Sequence, residues 1–390
     1  MRVESVRWSE ASGWAGELPA LDGASTLVLA LVGPRVAPER VPVADLDAAY
    51  PASVVVGFST AGVVQGEQVL DDVVLVVAVR FDATRLVLER APLDRHSSHA
   101  DGQRLGARLR RHGDDLAGVL VVADGLTVVG NALAEGLVAG TGGSVPLFGG
   151  MSAGFPGPDG ALPDPWTLLD GRAERGVLLG VGMYGERITF TTGTGSGWAD
   201  LGPERCVTRS SGATLFEVDG QPALELYRRY LGEEARDLPV SGLRFPLAIR
   251  RAGERSSALV RSVRSTDEET NAIGLTGDVP EGSAVQLLHQ DSEALADAAE
   301  TAARTAAAGA GGGAQPGADG TLALVVSCLG RRMALGARTE DELEAVVAGL
   351  PGGTPAVGFY TYGELAPTAT RPCDLHNETV TVAVLSEWSR

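Results

Sequence analysis

The fold is decided by one stretch, Pro355-Ala-Val-Gly-Phe-Tyr-Thr-Tyr-Gly-Glu-Leu-Ala-Pro367, which occurs twice more in looser form. One apolar run ends in Gly57-Phe-Ser-Thr-Ala-Gly62, and another ends in Gly149-Gly-Met-Ser-Ala-Gly154. Each copy predicts a buried strand that breaks into glycines and small hydroxyl residues, a composition that lets a backbone approach a ligand closely. Three such turns in one chain predict a single composite pocket.

Each turn belongs to a longer repeat with the order strand, helix, strand, glycine turn, strand. The segments are 27–32, 38–49 and 73–79 around the first turn, 118–122, 131–139 and 176–181 around the second, and 322–326, 340–350 and 379–385 around the third. Apolar runs joined through helices predict an α/β fold of helix-covered mixed β-sheets with some parallel pairing. Ligands of such sheets lie beyond the carboxyl ends of the strands.

The middle of the chain has a different pattern of short strand-like segments separated by Gly, Asp and Pro turns. We predict an antiparallel or mixed insertion there, with one amphipathic helix that Pro222 opens and that runs through Tyr230. The predicted domains are 1–200, which binds the ligand, and 201–390. The second divides into the short-strand block 201–290, a helix with a glycine-rich connector at 291–320, and the third repeat at 321–390.

Composition narrows the function classes. The formal net charge of −18 disfavours nucleic acid and anionic membranes as partners. No apolar run reaches the length of a membrane span and the N-terminus has no signal-peptide core, so we expect no membrane insertion and a cytoplasmic location. The sequence contains no lysine, which excludes Schiff-base catalysis and the P-loop lysine. Abundant Ala, Arg, Gly and Val indicate a bacterial genome of high GC content.

Two motifs, one typical of metal binding and one typical of serine hydrolases, lack the neighbouring residues that these functions need. Cys373 and His376 have a ligand-like spacing, but no complete ligand set is evident, so we predict no metal site. The run from Gly150 to Gly154 matches the G-x-S-x-G nucleophile elbow, with Ser152 as the serine. That elbow needs a helix directly after the serine, and the prolines and glycines of 155–166 argue against one. A serine hydrolase is therefore the least favoured alternative, and we expect no enzyme.

Several motifs together resemble the FIST family of sensory proteins with paired N-terminal and C-terminal FIST domains. They are Gly57-Phe-Ser-Thr-Ala-Gly62, Phe148-Gly-Gly-Met-Ser-Ala-Gly154, Val218-Asp-Gly-Gln-Pro-Ala-Leu224, Ser327-Cys-Leu-Gly-Arg331, Gly358-Phe-Tyr-Thr-Tyr-Gly-Glu364 and His376-Asn377. The resemblance spans about residues 27 to 387. It implies a ligand-binding input module of signal transduction, with an amino acid as one ligand class and a haem-based gas sensor as the alternative. We expect no cofactor under the first hypothesis.

The resemblance also implies how the signal leaves the protein. No kinase, cyclase or methyl-accepting segment follows the last predicted strand in this sequence. We therefore expect the signal to pass by contact to a separate signalling protein such as a kinase or a cyclase. The ligand must then bind one conformer better than the other.

The candidate ligand-binding residues are those of the turns and of the later motifs. One hypothesis is a zwitterion clamp in which Arg331 meets a carboxylate and Glu364 an ammonium. The alternative is an internal Arg331–Glu364 ion pair that only fixes the sheet. The full predicted set is Ser59, Thr60, Gly149, Gly150, Ser152, Cys328, Arg331, Thr361, Tyr362, Glu364, His376 and Asn377.

Overall fold

The structure, a computed structural model, describes residues 1–157, 161–169, 171–251, 258–309 and 320–388. The first repeat contains β1 (Arg2–Ser9), β2 (Gly13–Trp14), β3 (Thr26–Val32), α1 (Val43–Ala49), β4 (Val54–Ser59), β5 (Val63–Gln65), β6 (Gln68–Leu70) and β7 (Val73–Arg80). β3 pairs in parallel with β4 and antiparallel with β7. Each of β3 and β7 is apolar at nearly every position, because both faces of this sheet are covered.

The second repeat has the same order. It contains β8 (Arg85–Pro92), α2 (Ser98–Arg111), β9 (Leu116–Asp124), α3 (Gly130–Thr141), β10 (Leu147–Ser152), β11 (Thr167–Leu169), β12 (Arg172–Glu174) and β13 (Val177–Tyr184). β9 pairs in parallel with β10 and antiparallel with β13. The sequence did not predict α2, whose apolar face is formed mainly by Leu105 and Leu109.

The third repeat begins with β14 (Ile188–Gly195) and is interrupted by the short-strand insertion. The insertion contains β15 (Ala199–Ser211), β16 (Thr214–Val218), β17 (Gln221–Pro222), α4 (Ala223–Leu231), β18 (Leu247–Arg250), β19 (Leu259–Arg261), β20 (Val263–Asp267), β21 (Ala272–Leu275) and β22 (Ala284–His289). Its strands pair antiparallel throughout the described residues. The predicted insertion in the C-terminal half is confirmed.

The repeat then resumes with a parallel pair. Its elements are α5 (Ser292–Gly309), β23 (Thr321–Cys328), α6 (Leu329–Leu335), α7 (Thr339–Gly349), β24 (Ala356–Thr361), β25 (Glu364–Ala366), β26 (Asp374–His376) and β27 (Val380–Glu387). β23 pairs in parallel with β24 and antiparallel with β27. Most of the glycine-rich connector predicted before β23 lies outside the described residues. None of the helices in the described ranges is long and apolar enough to cross a membrane.

The three repeats exchange short strands in a cycle. After the first turn, β5 pairs with β24 of the third repeat; after the third turn, β25 pairs with β10 of the second. After the second turn, β11 pairs with β4 of the first repeat. After each glycine turn, the chain therefore leaves its own sheet and pairs with a strand of a neighbouring repeat. These exchanges bring the three turns together.

A shared core holds the three sheets in this arrangement. Alternate residues of β3, β7, β9, β13, β23 and β27 contribute to one apolar cluster, in which Phe58 and Phe359 pack edge to face at 4.8 Å between ring centroids. The opposite faces pack under the helices, α2 and α3 over the second sheet and α5 and α7 over the third. This two-sided burial follows from the continuous apolar runs that predicted the strands.

Candidate functional site

The three glycine turns contact one another through main-chain hydrogen bonds. Ala61 N donates to Tyr360 O at 2.8 Å, and Ala153 N donates to Ser59 O at 3.0 Å. Met151 N donates to Gly363 O at 3.0 Å, which joins the second turn to the third. The predicted adjacency of the turns is confirmed.

The hydroxyl groups of the turns are used internally. Ser59 Oγ accepts from Trp166 N at 3.0 Å, and Thr60 Oγ1 donates to Val32 O at 2.9 Å. Ser152 Oγ donates to Ala123 O at 3.4 Å. Thr361 Oγ1 accepts from Met151 N at 2.8 Å and bonds back to the second turn. These four side chains are buried and brace the backbone of neighbouring strands.

The glycines of the second turn allow strands to approach closely. Gly149 has a φ of +134°, and a Cβ at this position would lie 2.1 Å from Val121 O. A Cβ on Gly150 would lie 3.0 Å from Thr361 Oγ1 and 3.1 Å from Gly363 O. The packing of β10 between β9 and β25 therefore requires a glycine at position 149 and leaves little room for a side chain at position 150.

Arg331 forms an ion pair, but with a residue that the sequence did not indicate. Its Nε donates to Glu342 Oε1 at 2.5 Å, and its other nitrogens donate to the carbonyl oxygens of Ser196 and Leu295. Both charged side chains have no exposed surface. The alternative of an internal Arg331–Glu364 ion pair is therefore wrong, because the helix α7 supplies the carboxylate instead. With its nitrogens engaged in this way, Arg331 is placed to link α6, α7 and the start of α5.

A cavity of about 630 Å³ lies beside the second and third turns. Its walls come from the segment that follows β9, the segment that follows β10, the insertion, the start of α6 and the chain around β26. Most of the lining is apolar. Its polar members are Ser262, Arg264, Thr276, Cys328, Tyr362, Asn377 and Glu378. Three predicted residues, Cys328, Tyr362 and Asn377, therefore line this cavity, while Ser59, Thr60 and Ser152 do not.

Asn377 has a fixed amide orientation on the cavity wall. Its Oδ1 accepts from Thr276 Oγ1 at 3.0 Å and from Arg261 Nη1 at 3.4 Å. Two donors on one atom identify it as the oxygen, so the amide nitrogen is the atom left for other partners. Arg261 is completely buried, and its Nε and Nη2 have no hydrogen-bond partner among the described residues.

Glu378 is the acidic residue of the cavity lining. Its Oε1 accepts from Ser262 Oγ, while its Oε2 has no partner among the described residues. Burial raises the pKa of this carboxyl to about 7, a rise that the hydrogen bond from Ser262 and the charge of Arg331 only partly oppose. Glu378 also has a φ of +57°, a conformation that non-glycine residues seldom adopt and that is frequent at functional sites.

Gly330 makes room for this carboxylate. A Cβ at Gly330 would lie 2.0 Å from Glu378 Oε1 and 2.3 Å from Oε2. Gly330 follows Cys328 in the motif that the sequence singled out, and both residues line the cavity. The glycine of that motif is therefore explained by the close approach of a carboxylate from the opposite segment.

Glu364 and Cys328 lie next to Glu378. Glu364 Oε2 accepts from Thr379 Oγ1 at 2.5 Å, and Oε1 has no partner among the described residues. Burial, together with the charge of Glu378, raises the pKa of Glu364 well above its usual range. Burial and the two carboxylates likewise raise the pKa of the Cys328 thiol. Glu364 and Cys328 therefore favour their protonated forms, and a protonated Cys328 lacks the thiolate that nucleophilic chemistry requires.

Tyr362 and His376 complete the predicted set. Tyr362 OH donates to Pro163 O at 3.1 Å, which ties the cavity wall to the segment after β10. Burial lowers the pKa of His376 to about 4, so its imidazole is neutral at pH 7. Its Nε2 has no partner among the described residues. None of the described residues that line the cavity is a histidine, so the cavity offers no imidazole to a haem iron.

Within the described residues, neither the Cys373–His376 spacing nor the Ser152 motif is completed by the further groups that its chemistry needs. No group of three or more His, Cys, Asp or Glu side chains within them is arranged to hold a metal ion. After Ser152, residues 153–157 and 161–166 contain no helix, and the contact of Ser152 Oγ is a carbonyl oxygen. A general base is therefore not among its hydrogen-bond partners.

Sequence reasoning missed Glu378, Ser262, Arg264 and Thr276. Glu378 carried one usable signal, because a charged residue lies two positions before the apolar strand β27. The other three lie in the insertion, and no local pattern shows that β19, β20 and the residue after β21 pack against the chain around β26. That contact is tertiary and is made by Arg261, Ser262 and Thr276.

Comparison with known proteins supports the resemblance. The family model described as the FIST N domain matches residues 26–221, and that of the FIST C domain matches residues 223–367. An uncharacterized protein of Mycobacterium tuberculosis (strain ATCC 25618 / H37Rv) is 26% identical over 391 residues, which covers 97% of this chain and 96% of the relative. An uncharacterized protein of Mycobacterium bovis is 26% identical over 217 residues, covering 53% of this chain and 54% of the relative.

Two solved structures of cyanuric acid hydrolase are also similar over nearly the whole chain. The first has a TM-score of 0.33 and 13% identity, and covers 99% of each chain. The second, from A. caulinodans, has a TM-score of 0.36 and 12% identity, and covers 100% of this chain and 99% of the other.

Proposed function

Because the chain belongs to the FIST family, whose domains are generally sensory domains of signal transduction, we propose that it senses a small ligand bound in the cavity between its FIST N and FIST C domains. The cavity carries this proposal. At about 630 Å³ it has the size of a small-molecule site, and its apolar walls hold a few converging polar groups. Its lining combines residues of the N domain, such as Met151, with residues of the C domain, such as Cys328.

In this proposal the ligand is bound beside Glu378 and Arg264, the charged residues of the cavity lining, whereas Glu364 and Arg331 are not part of that lining. Arg264 is exposed and has no ion-pair partner among the described residues, whereas Arg331 is neutralised by Glu342. An amino acid, the ligand class that the family resemblance implies, would place its ammonium near Glu378 and its carboxylate near Arg264.

The proposed output is a conformational change read by a separate cytoplasmic signalling protein, without catalysis. A ligand that touches both domains and the insertion binds best when these parts are in one relative position, so occupancy shifts the population toward that conformer. The protonated thiol of Cys328 and the internal bonds of Ser152 support a binding role over a catalytic one.

Thermal denaturation with single L-amino acids tests the ligand class. At a hundredfold excess over its dissociation constant a ligand stabilises the native state by about 2.7 kcal/mol. We expect at least one amino acid to raise the melting temperature of the wild type but not of Leu126→Trp, which fills the cavity from a half-buried wall position. Glu344→Trp places the same side chain on an exposed helix face and serves as the control. Equal shifts in all three proteins, or none, would contradict amino-acid sensing.

A further inference from the structure

The segment that follows β10 places two large apolar side chains at the cavity. Phe155 and Leu162 both line it, and they are 36% and 44% exposed. Among the described residues only one other large apolar side chain is similarly exposed, that of Trp388, which is not part of the cavity lining. Single exposed apolar residues are common on protein surfaces, but two that converge on one cavity mark a surface for an apolar group of a ligand.

These two side chains are held in position by contacts with the C domain. The Phe155 ring stacks on the guanidinium of Arg332, whose central carbon lies 4.4 Å from the ring centroid. The carbonyl oxygen of Pro163, next to Leu162, accepts a hydrogen bond from Tyr362 OH at 3.1 Å. The segment is therefore anchored near both apolar side chains. A wall that is already in place reduces the entropy lost when a ligand binds against it.

The polar side chains of the lining are largely bonded to one another or to the backbone. Ser262 Oγ donates to Glu378 Oε1, and Thr276 Oγ1 donates to Asn377 Oδ1 at 3.0 Å. Tyr362 OH donates to a backbone carbonyl oxygen. A polar side chain of a ligand would lose its hydration against this wall and find few groups still open to it, which is unfavourable. The wall therefore favours a ligand with a hydrocarbon side chain.

An exposed guanidinium at the same cavity suits the carboxylate of an amino acid. Arg264 is part of the lining and has no hydrogen-bond or ion-pair partner for its side chain among the described residues. Partial burial and the positive charge of Arg95 lower the pKa of Arg264, so a second guanidinium acts on it. A carboxylate relieves this repulsion, whereas a cationic side chain of a ligand would add to it.

We propose that the ligand is an amino acid with a large apolar side chain, and that Phe155 and Leu162 select that side chain. This inference rests on the proposed function and narrows its ligand class. Each methylene group that is fully buried against an apolar wall increases affinity about fourfold. Leucine has three more carbon atoms than alanine and should therefore bind at least about tenfold more tightly. Glutamate and arginine are of similar length, but their charged ends must lose hydration at the same wall.

Calorimetric titration of the full chain with five amino acids tests this selectivity. The probes are L-leucine, L-phenylalanine, L-alanine, L-glutamate and L-arginine. We expect leucine or phenylalanine to bind at least about tenfold more tightly than each of the other three. Binding of alanine, glutamate or arginine with equal or higher affinity would overturn the inference and leave amino-acid sensing standing. Absence of binding by both leucine and phenylalanine would also overturn it, and thermal denaturation with the remaining amino acids would then decide the proposed function.

Two substitutions test whether the segment after β10 causes the selectivity. Leu162→Ala and Phe155→Ala remove apolar surface from the cavity wall. Each should weaken binding of the preferred probe, leucine or phenylalanine, by at least about fivefold, and should change the affinity for alanine by less than about twofold. Trp388→Ala removes a similarly exposed side chain outside the lining and should change neither affinity.

The inference would be overturned by unchanged affinity for the preferred probe in both cavity variants, or by an equal loss for that probe and for alanine. If Phe155→Ala does not fold, because the ring also packs on Arg332, Leu162→Ala decides alone. The Leu162 side chain is 44% exposed, so its replacement should leave the protein folded.

Discussion

Replacing Glu378 by glutamine should change how the stability of the protein depends on pH. An exposed glutamate has a pKa of 4.5, and burial raises that of Glu378 to about 7. Between these two values the folded protein holds a proton that the unfolded chain has released. Stability therefore falls as the pH rises through this window, by about 1.4 kcal/mol per pH unit and about 3 kcal/mol in all, and it levels off above pH 7. Glutamine keeps the acceptor for Ser262 Oγ and carries no charge, so the variant should lack this loss.

Urea unfolding of the wild type and Glu378→Gln at several pH values between 4.5 and 8 measures the difference. The two proteins should have similar unfolding midpoints near pH 4.5, and the variant should be the more stable by about 3 kcal/mol near pH 8. The matched control is Glu344→Gln, an exposed position on α7, whose profile should follow the wild type. Parallel profiles for wild type and Glu378→Gln would refute the reasoning, because they would show that the carboxyl does not titrate in a buried site.

Three further predictions concern other parts of the protein. Gly330→Ala should lower stability by about 1–3 kcal/mol, since its Cβ would overlap the Glu378 carboxylate. The control Gly352→Ala has open space around the added Cβ and should leave stability unchanged. Equal melting temperatures of the two variants would contradict this prediction. Arg331→Met should lower stability by about 3–5 kcal/mol, because it leaves the buried Glu342 carboxylate without its counter-ion. The control Arg338→Met removes the exposed ion pair with Asp341 and should change stability by less than about 1 kcal/mol. Ser152 should not be labelled by a fluorophosphonate probe; labelling that Ser152→Ala abolishes would revive the hydrolase hypothesis.

The repeats were predictable because their main strands are continuous apolar runs. Such a run has few alternatives to a strand covered on both faces, so β3, β9 and β23 could be recognised together with their parallel partners. The exchange of β5, β11 and β25 could not be predicted. Strands of three residues carry too little periodicity, and their pairing is set by the direction in which each glycine turn leaves its sheet.

The candidate site was predictable only in part, because its chemistry depends on contacts between distant segments. The motifs led to Cys328 and Asn377, but the partner of Arg331 was wrong since α6, which was not predicted, directs the guanidinium toward Glu342. Ser262 and Thr276 belong to an insertion whose packing against the chain around β26 has no local signature. Whether the predicted ligand-binding residues bind a ligand stays a prediction for each of them.

The occupancy of the cavity is the central claim, and native mass spectrometry tests it most directly. The wild type and Leu126→Trp would be incubated with the small-molecule fraction of a bacterial extract, transferred to volatile buffer and weighed under non-denaturing conditions. We predict that the wild type retains one species of at most a few hundred daltons, the size that a site of this volume admits, and that Leu126→Trp retains none. Retention of the same species by both proteins, or by neither, would contradict the claim that this cavity is the sensory site.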